Sequence, residues 1–197
     1  MAATMEKAKA LFGHMLRNVR SSNEKMASAK TGGEKMIIIR SDGFEPNMAI
    51  PVDYTQDGQN ISPPISWSGV PAQTRELVLV VEDPDAPMIN PVIHWIVYKI
   101  PAGTTALPPA VPRGAIMSAP AGARQAKNYE KVEGYSGPKP PVGHGVHHYH
   151  FQLFALDQTL SLNDPSKDDL IKAMQGHVLA QGEMIGTYER VGAQEAP

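Results

Sequence analysis

Residues 76–100 read ELVLVVEDPDAPMINPVIHWIVYKI, two apolar runs joined by a corner of acids and prolines. ELVLVVED and HWIVYKI are rich in β-branched residues and bounded by turn formers, which predicts two strands. Pro84 cannot donate to a β ladder and Pro87 fixes its own backbone, so the joint is a rigid corner rather than a continuing strand. One of its X-Pro bonds is a candidate for the cis form. Asp83 and Asp85 lie two apart where the first run ends, and in extended backbone they share a face. Taken alone they read as caps for backbone N–H groups in a turn. His94 opens the second run, where alternation groups it with Ile96 and Tyr98, opposite Trp95 and Val97. Alone, it reads as a satisfied core or rim residue.

Further along, MIIIRS (36–41) and HHYHFQLFALD (147–157) are strand candidates of the same kind. YTQDGQNISPPISWSGVPAQT (54–74) reads as a turn-rich connector, and residues 101–145 as a long proline-rich loop, functional or hiding short strands. SLNDPSKDDLIKAMQGH (161–177) predicts a helix with Ser166 or Asp164 as N-cap, acids in its first turn and Gly176 as its stop. The last segment, LAQGEMIGTYERV, fits a short helix or a strand. No βαβ alternation is present. The pattern predicts a mainly β fold, an antiparallel sandwich or barrel with peripheral helices.

Composition agrees: 197 residues suffice for one cored domain, and 18 prolines with 17 glycines imply many turns. With no cysteines, disulfides, thiolate metal sites and cysteine nucleophiles are excluded. Net charge is −2, but residues 1–35 carry seven basic against three acidic residues, leaving the remainder at −6. That acidic body argues against nucleic-acid binding. No stretch is long enough to span a membrane and no secretory signal is evident, so a cytoplasmic location is expected. Within 1–35, Ala8, Leu11, Phe12, Met15 and Val19 are spaced as one helical face. This amphipathic helix and linker would precede a domain at 36–197. Its face suits docking on the domain or on a homodimer partner, an organelle transit signal, or a membrane surface.

Four of the seven histidines lie within GHGVHHYHF, residues 144–151 plus Gly143. Alternation puts His147, Tyr149, Phe151 and Leu153 on one face and His148 and His150 on the other. His94, His147 and Asp83 are metal-ligating types, but no HExxH-like spacing supports a metal site. No G-x-S-x-G supports a serine hydrolase, and Ser136 in GYSGP lacks that context. Histidines, a tyrosine hydroxyl and the N–H groups of GYSGPKPPVGHG supply donors suited to a phosphate.

DPDAP, the HW strand, GP-x-PP-x-G-x-G and GVHHY, in that order, resemble the phosphatidylethanolamine-binding (Raf kinase inhibitor-like) family, in its bacterial and archaeal branch. The resemblance covers about residues 36–191. It implies a large antiparallel sheet packed on a smaller one, with C-terminal helices and a pocket for small anions or phosphorylated head groups. It implies a non-catalytic binder with no cofactor or metal, with a kinase or protease as a protein target. The alternative is a small hydrolase or lyase using Asp83, His94 and His147 as acid/base groups. Carried over by motif, the ligand-binding residues are Asp83, Asp85, Pro87, His94, Gly137, Pro138, His147 and Tyr149, with Pro140 and Pro141 beside them. Relatives carry H-R-Y where this chain has His147, His148 and Tyr149. Losing that arginine is expected to weaken a supporting ion pair, with an acid of DPDAP as its candidate partner. Lys139 adds a positive charge at the mouth. Because a carboxylate beside a phosphate is repulsive, Asp83 is expected to orient and charge-balance His94 or His147, which then donates to the ligand. The other arrangement has Asp83 accept from an ethanolamine ammonium.

Overall fold

The computed structural model describes residues 2–191. Among these residues nine strands form two sheets. The larger is ordered β1 (Glu34–Lys35), β9 (Val178–Tyr188), β8 (His147–Leu156), β4 (Glu76–Asp83), β5 (Val92–Pro101) and β7 (Arg124–Gln125). The smaller is ordered β2 (Ile38–Arg40), β3 (Ile65–Ser68) and β6 (Ala106–Leu107). Neighbours are antiparallel except β1 and β9. Three helices accompany them: α1 (Ala2–Met15), α2 (Ala27–Thr31) and α3 (Lys167–Met174).

The unbroken apolar run of β4 follows from its place, since every residue from Glu76 to Asp83 is buried. Leu77, Leu79 and Val81 pack with Trp67, Trp95, Phe151 and Leu153 between the sheets. Val78 and Val80 face the other way, against Ala27 of α2 and Leu170, Ile171 and Met174 of α3. Ser166 caps α3 in a capping box with Asp169. The 179–191 segment is strand β9 rather than a helix, because its alternate residues pair along the whole of β8. Three strands lie within the stretches read as connector and long loop: β3, β6 and β7 are too short to show a period, β3 and β6 existing by pairing in the small sheet and β7 by pairing with β5. The cis peptide is Ala119–Pro120, not a bond of the acidic corner.

One departure from simple alternation aims a side chain. Val81 pairs with Trp95 and Glu82 with Ile93, so His94 is the extra residue of a β-bulge. Trp95 stays in the inter-sheet core and Ile93 packs on the opposite face. His94 is thereby freed from the Ile96 and Tyr98 side where alternation placed it. Its ring meets Tyr149 edge-on at 5.1 Å.

The N-terminal segment packs on the domain, but not through the predicted face. Leu11, Phe12 and Met15 are 65%, 61% and 75% exposed. At about 100° per residue the opposite side of the helix carries Gly13. A Cβ there would sit 2.0 Å from the Val142 carbonyl oxygen, so only glycine permits this approach. Among the described residues no helix is long and apolar enough to cross a membrane.

Candidate functional site

Asp83 at the end of β4, His94 in the β5 bulge, and His147 and Tyr149 at the start of β8 line one cavity of about 290 Å³. Ala86, Met88, Val92, Tyr129, Lys139, Pro140 and Pro141 complete its walls. Pairing of β8 and β5 with β4 brings together three segments that are distant in sequence.

Asp83 is held by its own corner. Its Oδ1 accepts from the amides of Asp85 (2.8 Å) and Ala86 (3.2 Å), while Oδ2 lies 2.7 Å from His147 Nδ1. His147 Nε2 lies 2.7 Å from His144 Nδ1. Both nitrogens of His147 are therefore engaged, and it does not present a free N–H to a ligand as the sequence reading expected. His94 differs: Nδ1 lies 2.6 Å from the Ser136 carbonyl oxygen, to which it donates, and Nε2 has no partner among the described residues. The Tyr149 hydroxyl likewise has no hydrogen-bond partner among the described residues. Burial, with Asp83 next in importance, raises the Tyr149 pKa well above 10.0, so the phenol keeps its proton and donates. Lys139 is exposed at the mouth.

The other expected residues act from outside the cavity wall. Asp85 turns away: Oδ2 accepts from the His148 amide (2.8 Å) and lies 2.6 Å from His148 Nδ1, while Oδ1 pairs with Arg20. Burial alone would raise the Asp85 pKa, but the His148 and Arg20 contacts outweigh it and the net shift is downward. The ion pair expected to weaken with His148 thus has a guanidinium after all, delivered by the N-terminal segment. Pro87 shapes the corner without lining the pocket. Gly137 donates to Asn60 Oδ1 (2.7 Å), and Pro138 accepts from the Gln56 amide (3.0 Å), tying the loop to residues 54–60. A Cβ on Gly137 would lie 2.3 Å from the Tyr54 carbonyl oxygen, so glycine is required there by close approach.

Burial is the leading cause depressing the pKa of both His94 and His144 below 6.5. The unfolded chain therefore binds protons that these folded rings refuse. Their stabilising effect is present above pH 6.5 and is lost as pH falls below that value toward the depressed folded pKa values. The unfolding midpoint in denaturant is expected to fall between pH 6.5 and 5, and to fall less in a His94→Phe variant. Equal pH slopes for the two proteins would remove His94 as the cause.

A larger groove of about 560 Å³ shares Met88, Val92 and Tyr129 with the pocket. Its Lys127 and Lys167 are already paired, with Asp164 and Glu82. Lys131 also lines that groove, whereas the Tyr149 hydroxyl, His94 Nε2 and Lys139 converge on the smaller cavity. Among the described residues no group of three or more His, Asp or Glu side chains is placed to hold a metal ion.

The phosphatidylethanolamine-binding protein family model matches residues 40–189. The chain belongs to this family. A UPF0098 protein of Pyrococcus horikoshii is 44% identical over 160 residues, covering 81% of this chain and 80% of that protein. Among solved structures, a phosphatidylethanolamine-binding protein homologue from Chlamydia trachomatis is 36% identical with a TM-score of 0.70, covering 80% of this chain and 99% of that one. YbcL of E. coli, described as a member of the mammalian phosphatidylethanolamine-binding family, is 30% identical with a TM-score of 0.73, covering 78% and 98%. A relative from Mycobacterium tuberculosis, 37% identical over 156 residues, is named as a lipoprotein. The family match begins at residue 40, so the segment carrying Leu16 and Arg20 lies outside it.

Sequence reading missed His144, Tyr129, Leu16 and Arg20. His144 sits beside the GVHHY motif in a histidine-dense stretch, which was a usable signal. Leu16 and Arg20 gave none, because their partners lie 128 and 126 positions away.

Proposed function

We propose that the protein is a non-catalytic binder of small phosphate-type anions or phosphorylated head groups. The observation that carries this reading is the convergence of a protonated phenol, an unpartnered imidazole nitrogen and an exposed lysine on one small cavity. A volume of about 290 Å³ suits a head group, near the lower bound of ordinary ligand sites at about 300 Å³. Membership of a family named for binding phosphatidylethanolamine supports the same class of ligand. The hydrolase reading finds less support, since Asp83 and His147 occupy each other and Ser136 is bonded to Glu130. A kinase or protease partner and a cytoplasmic location remain part of the proposal, with lipid contact peripheral at most.

Inorganic phosphate titrated by calorimetry tests the reading. With Nδ1 donating to Ser136, neutral His94 offers only a lone pair at Nε2, which accepts a proton from a protonated anion or gains its own below pH 6.5. Affinity is expected to rise as pH falls from 8 to 6. Tyr149→Phe is expected to weaken binding about tenfold, the loss of one hydrogen bond to a charged group at about 1.4 kcal/mol. Absence of phosphate binding, or an unchanged affinity in Tyr149→Phe, would count against the pocket. Hydrolysis of phosphoesters or esters by the wild type, lost in His94→Ala, would replace binding by catalysis.

A further inference from the structure

The hydrogen bonds around His147 continue into the N-terminal segment. His144 Nε2 lies 2.7 Å from the carbonyl oxygen of Leu16, just past the C-terminal end of α1. The chain of contacts is Leu16 carbonyl, His144, His147, Asp83, with three links of 2.7 Å each. Its two ends, a carbonyl oxygen and a carboxylate, only accept. Three hydrogen bonds need three protons, whereas two neutral imidazoles carry two. The extra proton therefore sits on His147, which donates from both ring nitrogens, while His144 stays neutral and donates to Leu16, in keeping with its depressed pKa. Asp83 does not hold it as a carboxylic acid, because its Oδ1 accepts from two backbone amides, which favours the ionised form.

Without the Leu16 carbonyl the count changes. His144 could then turn its single N–H toward His147, His147 could donate to Asp83, and two protons would satisfy two bonds. Docking of the segment is what demands the third. The wall of the pocket is thereby neutral, carboxylate plus imidazolium, instead of carrying the bare charge of Asp83. The charged and titratable groups around this pair are Asp83 from the β4 corner, His94 from β5, Lys139 from the mouth, and His14, Arg17 and Arg20 from the N-terminal segment, with Asp85 held by Arg20. Arg20 neutralises Asp85 and donates to the Val146 carbonyl at 3.3 Å, while its own charge, after burial and the charge of His147, lowers the His144 pKa and keeps that ring neutral. The Ser21 amide donates to the Pro84 carbonyl at 2.8 Å, fixing the segment to the acidic corner.

We infer that residues 16–21 are a working part of the binding pocket: through the Leu16 carbonyl and His144 they keep one proton on the His144–His147 pair, and so set the pocket to accept an anion. His144 and Arg20 are positioning residues that act through His147 and Asp85. This inference rests on the pocket reading above for its ligand, but not for its proton count.

The test separates the two. Nitrogen-15 spectra of histidine-labelled full-length protein at pH 7 count ring protons without any ligand, and three shared by His144 and His147 are expected. Two would overturn the inference, whatever the protein binds. With inorganic phosphate as probe, His144→Phe removes both the link to Leu16 and the acceptor for His147, and a roughly tenfold loss of affinity is expected, the effect of one charge-assisted contact. His144→Gln keeps an acceptor for His147 and a donor for Leu16, and is expected to stay within about threefold of wild type, which guards against a variant that fails to fold. Equal affinities of wild type and His144→Phe, or a His144→Gln as weak as His144→Phe, would overturn it. If wild type binds no phosphate, the proposed function fails and the ring-proton count alone decides this inference.

Discussion

Glu82→Ala is expected to lower stability by about 3–5 kcal/mol, the cost of opening a buried ion pair from one side. Glu82 is 0% exposed in the middle of the large sheet. Its Oε1 accepts from the Ala27 amide at 2.7 Å and from Gln152 Nε2 at 3.1 Å, and Oε2 pairs with Lys167. Gln152 Oε1 in turn accepts from the Ser28 amide at 2.8 Å. The first N–H groups of α2, which no helix can satisfy internally, are thus held by β4 and β8. Lys167, in the first turn of α3, also donates to the Lys25 carbonyl at 2.8 Å. Alanine leaves an ammonium without its carboxylate and two buried donors without acceptors at the junction of α2, α3 and the sheet. For a chain of this size that loss corresponds to a fall in Tm of roughly 10 °C, at about 2–4 °C per kcal/mol. In a Glu82→Leu, Lys167→Met double variant much of it is expected to return, because no charge is stranded. Denaturant unfolding that leaves Glu82→Ala within about 1 kcal/mol of wild type would show that water reaches these groups.

Asp83 gives the second large effect, and here the two obvious replacements should differ. Asp83→Ala removes the acceptor for the Asp85 and Ala86 amides and strands the proton shared with His147, so a loss of about 3–5 kcal/mol is again expected. Asp83→Asn preserves the corner, because its carbonyl oxygen still accepts from both amides. Its amide donates to His147 Nδ1, His147 donates to His144, and His144 donates to Leu16, so every contact is met by neutral rings. Its stability cost should be about 1 kcal/mol, the scale of a single exchanged hydrogen bond. Binding inverts this pattern of leniency: no imidazolium is required in Asp83→Asn, so the pH dependence of phosphate affinity should then follow His94 alone. Equal destabilisation by alanine and asparagine would mean that hydrogen-bond direction does not govern this corner.

The acidic corner also shows how far sequence reading reached. Alternation in GVHHYHF correctly separated His147 and Tyr149 from His148, because β8 pairs without irregularity from His147 to Ala155. The same argument misplaced His94, since one extra residue in β5 reverses the face and nothing in HWIVYKI marks the bulge. The motif order DPDAP, HW, GP-x-PP and GVHHY contains Asp83, His94, Pro140, Pro141, His147 and Tyr149, six of the residues that line the cavity. It also admitted Asp85, Pro87, Gly137 and Pro138, which shape or brace the wall without lining it. The α1 stripe was legible as amphipathic, yet the helix docks by Gly13, where a close approach of backbone to backbone outweighs burial of the stripe.

By itself the sequence determined the class of fold, because the period of its apolar residues and the spacing of its prolines and glycines are local properties. It also determined the family, because side-chain types in a fixed order of motifs carry that information. Only the tertiary structure decided which groups face the cavity, through a bulge at His94 and a turn at Asp85. It alone decided where the protons lie, because hydrogen-bond direction along Asp83, His147 and His144 is set by a carbonyl more than a hundred residues distant. Contacts of that separation are set by packing, and leave no period to read.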